Sequence, residues 1–116
     1  MTTVAQTSLA EEIARVSRLG NLTAAHLADA TGGDPSSARR WRSGSRAPAG
    51  EHATRALELT ALVERLAQVM DTSYIPIWLI KPIARLDDRR PVDAIRDGDF
   101  RSVSRLVAAL EEMPAA

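Results

Sequence analysis

Four arginines, Arg39, Arg40, Arg42 and Arg46, stand between Pro35 and Gly50 with no acidic residue among them. Guanidinium groups hold phosphate oxygens through charge and paired hydrogen bonds, so such a cluster is a candidate contact for a nucleic-acid backbone. Ser36 and Ser37, just upstream, add small hydroxyls suited to phosphate or base edges. The acids gather late in the chain, at Asp87, Asp88, Asp93, Asp97, Asp99, Glu111 and Glu112. Several alternate with Arg85, Arg89, Arg90 and Arg96, the pattern of a solvated surface.

Catalysis needs a nucleophile beside a base, a carboxylate pair or a metal cluster, and the chain offers little for any of them. His26 and His52 are its two histidines, neither at metal-ligand spacing, and no glycine-rich phosphate loop is present. Cysteine is absent, which removes disulfides and thiolate ligands. The expectation is a protein that is not an enzyme and takes no cofactor. Fifteen basic residues balance fifteen acidic ones, so any nucleic-acid contact rests on local charge rather than on net charge. The first residues lack the pattern of a signal peptide, and no apolar run approaches the ~20 residues that cross a bilayer. A soluble, cytoplasmic protein with no membrane partner is expected.

The elements that position these residues read as helices. The 116 residues are rich in Ala, Leu and Arg and hold one Phe, one Tyr and two Trp, which favours an all-α fold. Residues 1–7 read as disordered, and Ser8 with Glu11 reads as a capping box opening the first helix. Thr23 is placed to cap a short second helix, with Gly32 and Gly33 supplying a turn at positive φ. Asp34 and Pro35 open a third helix that stops near Gly44. From Glu51 to about Met70, Leu59, Leu62, Val63, Leu66 and Val69 recur at helical spacing. This stripe exceeds what a short helical pair can cover, which points to a long helix serving both core and self-association. Beyond it, Pro76, Pro82 and Pro91 divide the chain into short helices, and Asp99 caps a last one that runs to about Glu112.

Two short helices around a glycine turn, the second carrying arginines, form the geometry that lays a recognition helix in the DNA major groove. Arg39, Arg40 and Arg42 step around that helix at ~100° each and cannot all face one groove. Trp41 is expected to pack into the core. A solvated arginine-rich helix looks the same on charge alone. The run from Thr23 to Pro48, T-A-A-H-L-A-D-A-T-G-G-D-P-S-S-A-R-R-W-R-S-G-S-R-A-P, resembles the helix-turn-helix of the Xre family.

Farther along, Trp78, Leu79, Pro82, Leu86, Pro91, Asp93, Gly98, Val103 and Leu106 follow the order and spacing of the toxin-binding region of the Xre/MbcA/ParS antitoxin family, which the chain resembles from about Leu9 to Leu110. It departs at Ile83, where many relatives carry Asn, and at the Glu111–Pro114 end. The resemblance implies an antitoxin whose partner is a RES-type toxin that consumes NAD, with the C-terminal region occluding the toxin's active site. It also implies an operator-binding N-terminal region. The division expected is residues 1–50 for DNA binding, 51–72 for a connecting and dimerisation helix, and 73–116 for toxin binding. Trp78, Leu79, Leu86, Val103 and Leu106 are expected in the core, leaving Arg89, Arg90, Asp97, Asp99, Arg101, Glu111 and Glu112 as candidate toxin contacts. The assembly expected is a homodimer or a hetero-oligomer with the toxin. The alternative is a free-standing helix-turn-helix transcription regulator whose C-terminal region only dimerises.

Overall fold

Helix boundaries follow local caps. The structure, a computed structural model, describes the backbone of residues 3–114 and the side chains of residues 9–114. Its helices are α1 (Thr3–Leu19), α2 (Ala24–Thr31), α3 (Pro35–Ser43), α4 (Gly50–Leu66), α5 (Ile75–Leu79), α6 (Pro91–Arg96) and α7 (Phe100–Glu111). Short 3-10 turns cover Thr72–Tyr74 and Ala84–Leu86. Among the described residues there is no strand, and an isolated antiparallel bridge, Ile83 to Arg89, closes the turn before α6. The fold is all-α, as composition and periodicity require.

Thr23 caps α2 in a reciprocal box: its hydroxyl faces the amide of His26, and its own N–H donates to His26 Nδ1. Asp34 caps α3 and Asp99 caps α7, while Gly32 and Gly44 end α2 and α3 at φ +78° and +82°.

Three boundaries depart from expectation. α1 begins at Thr3, so Ser8 lies within the helix rather than capping it; its side chain, and residues 1 and 2, lie outside the described residues. α4 begins at Gly50 and ends at Leu66, with Ala67 to Val69 in a turn. Gly33 does not take the positive φ expected of it. It is needed for close approach instead, because a Cβ there meets the Trp41 ring at 2.5 Å.

α4 is the central element, packing on α1, α2, α6 and α7. Its stripe of Leu59, Leu62, Val63 and Leu66 is fully buried within this one chain, and only Val69, beyond the helix end, is part exposed. The self-association that the stripe was expected to carry therefore loses its reason: the chain's own helices cover it. A single buried cluster runs from Ile13 and Trp41 through α4 to Trp78, Leu79, Leu86, Ile95, Val103 and Val107, with Leu106 packed against it. The described parts of the N-terminal and C-terminal regions, residues 9–50 and 73–114, thus share one core, joined chiefly where α2 packs on α6. Among the described residues, no helix is long and apolar enough to cross a membrane.

Candidate functional site

The first surface is one face of α3. Asp34 fixes the start of the helix by accepting the Ser37 amide at 2.8 Å, and the Ser37 hydroxyl and amide hold its carboxyl below the usual range. Ser36, Arg39, Arg40 and Ser43 then fall at positions one helical turn apart and line a shallow depression. Arg39 Nη2 donates to Ser36 Oγ at 3.1 Å, and both arginines remain exposed. Arg42 leaves this group: its Nε donates to the Leu22 carbonyl at 2.7 Å, bracing α3 against the corner between α1 and α2. Arg46 lies on the following loop, beside Leu9 and Glu11 of α1. Trp41 is buried behind the face, its ring centroid 5.5 Å from that of His52. Of the six residues singled out for DNA, the fold gathers Ser36, Arg39 and Arg40. It engages Ser37 with Asp34, ties the exposed Arg42 to the Leu22 carbonyl and sets Arg46 apart.

Most of the charged residues expected to meet a partner are engaged within the chain. Arg89 Nη2 donates to Asp99 at 2.7 Å, its Nη1 lies 3.5 Å from Asp97, and its Nε donates to the Leu86 carbonyl. This arginine, followed by Ser102, holds the Asp99 carboxyl below its ordinary range. Arg90 grips Asp93 with two hydrogen bonds of 2.7 and 2.8 Å and reaches Asp29 of α2 at 3.4 Å. Glu111, one of the candidate toxin contacts, is bound to Arg65 of α4 at 2.6 Å, and Arg65 also donates to Ser104. The pairing has a simple cause: α7 packs along α4, which brings two residues 46 positions apart into contact. Arg101 and Glu112 are exposed and form no ion pair among the described residues.

The second surface is apolar, and selecting polar residues passes it over. Trp78, Ile83, Leu106, Leu110 and Met113 line a groove of about 320 Å³ between α5, the 83–85 turn and α7. An adjoining hollow of about 580 Å³ adds Val69 and Tyr74. Nearby on the same segment, Ile77 and Ile80 are 54% and 45% exposed, and Met113 is 65% exposed. Contiguous exposed apolar surface of this kind marks interaction sites. The signal was present in the sequence, since the apolar run from Tyr74 to Ile80 exceeds what a five-residue helix can bury.

No protein-family model matches the chain. The mycobacterial cidal antitoxins MbcA of Mycobacterium tuberculosis and Mycobacterium bovis are each 32% identical to it over 97 residues, spanning 84% of this chain and 85% of theirs. Among solved structures, a chain of the crystal structure of the M. tuberculosis MbcT–MbcA toxin–antitoxin complex superposes with a TM-score of 0.78 at 29% identity. That match covers 90% of this chain and 94% of the other.

Proposed function

This chain belongs to the family of the mycobacterial cidal antitoxin MbcA, and on that premise we propose that it neutralises a RES-type, NAD-consuming toxin by covering its active site. The observation that carries the reading is the extent of the relationship. With 97 residues aligned, it cannot be confined to either half of the chain, and it includes a structural counterpart taken from a toxin–antitoxin complex. The apolar groove beside α7 supports it, because an unpartnered patch of this size is suited to a protein partner.

In this reading α2, its turn and α3 form a helix-turn-helix, and the Ser36, Arg39 and Arg40 face contacts the operator of the chain's own gene. Few phosphates are within reach of one such face, so operator binding needs two copies, supplied by a homodimer or by a hetero-oligomer with the toxin. Both tasks belong to the cytoplasm.

The test is co-expression with a RES-type toxin gene, which this reading expects directly beside the gene for this chain. The toxin alone should arrest growth and deplete NAD, and this chain should restore both. If a folded, well-expressed chain bound its promoter yet gave no rescue, the protein would be a free-standing transcription regulator instead.

A further inference from the structure

The charges that line the apolar groove itself are of one sign, while Glu111, on the adjoining hollow, is already held by Arg65. The groove under Trp78 is bounded by Arg85, and through Arg85 and Leu106 it continues into a hollow of about 200 Å³ lined by Ser102 and Arg105. No carboxylate lines either space. Arg85 and Arg105 are exposed and form no ion pair among the described residues. Arg65, Arg89, Arg90 and Arg96, by contrast, each hold a carboxylate, and Arg101 is the further arginine of this half left without one among the described residues. Asp87 and Asp88, on the adjoining turn, do not line the groove.

We propose that this groove receives an acidic, amphipathic segment of the toxin. Its apolar side chains seat on Trp78, Leu106 and Met113, and its carboxylates pair with Arg85 and Arg105. The inference rests on the antitoxin reading and adds the chemistry of the partner.

Charge complementarity selects this occupant. An unpaired guanidinium beside apolar surface loses hydration when a partner covers it, and a carboxylate supplied in paired geometry is what offsets that loss. A second copy of this chain is the competing occupant. A two-fold contact sets the same patch against itself, bringing the four arginines of two grooves together, and the nearby Glu111 of each copy is already engaged by Arg65. Acidic residues on the toxin remove that repulsion and also steer the encounter.

The test measures the affinity of the purified chain for its toxin across a salt series. The wild-type Kd should rise with salt. The double variant R85A/R105A should bind about tenfold or more weakly, with a flatter salt dependence. Arg18→Glu, an equal change of net charge on the far α1 surface, should leave both unchanged, and circular dichroism should be the same for all three. If the wild-type chain does not bind the toxin, the antitoxin reading falls and takes this inference with it. If it binds and R85A/R105A matches it in Kd and salt slope, this inference alone is overturned. A double variant that alters the mass of the free chain while leaving toxin affinity intact assigns the groove to a second copy, and overturns it equally.

Discussion

His26 Nε2 stands 3.2 Å from the carbonyl oxygen of Pro76, while its Nδ1 stands 3.0 Å from the backbone nitrogen of Thr23. A carbonyl can only accept and an amide N–H can only donate, so the ring is the neutral tautomer with its proton on Nε2. One imidazole therefore caps α2 and ties it to α5, the helix that carries Trp78. Asn21, at φ +56°, makes a parallel tie from its side-chain amide to the Thr72 carbonyl at 3.1 Å. The corner between α1 and α2 thus holds the segment beside the apolar groove, and through the Leu22 carbonyl it also holds Arg42 of α3.

Removing the ring should be costly. His26→Ala loses a helix cap and a hydrogen bond across the core, about 1–3 kcal/mol together. His26→Gln should recover part of this, because glutamine at the third helical position completes a capping box. Urea unfolding measures both, and equal stability of H26A and wild type would refute the double role.

The arginines of α3 should separate by function. Arg39→Ala and Arg40→Ala should each weaken operator binding and lower its salt slope by about 1, with stability unchanged. Arg42→Ala should instead cost about 1–2 kcal/mol of stability, having lost its bond to Leu22. Fluorescence anisotropy with labelled promoter DNA, beside denaturation curves, makes the comparison. An Arg42→Ala variant as stable as wild type would contradict the bracing role of its bond to Leu22.

Burial distinguishes two apolar residues of similar size. Leu66, with no exposed surface, should tolerate no charge: Leu66→Asp places an unpaired carboxylate in the core and should cost more than about 4 kcal/mol, enough to prevent folding. Ile77, 54% exposed, should accept aspartate within about 0.5 kcal/mol. Thermal melts of the two variants decide the matter, and a folded Leu66→Asp monomer would be incompatible with the core described.

Stability should fall in acid. Arg90, Arg89 and Arg65 hold Asp93, Asp99 and Glu111 below the ordinary carboxylate range. Between those lowered values and the usual ones near about 4, the unfolded chain binds more protons than the folded one. The stabilisation is complete above that window and declines as pH falls through it. Arg90→Gln should make the decline shallower by releasing Asp93. Denaturation midpoints that stay constant from about pH 5 to about pH 2.5 would rule out a role for these pairs.

The all-α class, the starts of α2, α3, α4 and α7 and the caps at Thr23, Asp34 and Asp99 were legible in the sequence to within a residue or so. Each depends on groups within a turn of one another, where a side chain meets its own backbone. The first helix start was not: α1 already runs from Thr3, upstream of the Ser8 and Glu11 spacing that reads as a capping box. Apolar periodicity likewise identified the α4 stripe, and composition identified Trp41 and Trp78 as anchors. What covers that stripe was a different matter: α1, α2, α6 and α7 of the same chain close over it, and no local pattern states which surface an amphipathic helix will meet. The same holds for charge. Arg39 and Arg42 are equivalent as letters, yet one faces outward and the other bonds to Leu22, 20 positions away. Glu111 lost its freedom to Arg65, 46 positions away, and His26 acquired its second bond from Pro76, 50 positions away. Sequence spacing carried the elements because their forces act within a helical turn. Only the packed chain decided which polar groups are satisfied internally and which surface remains for a partner, because those contacts exist only once distant segments have met.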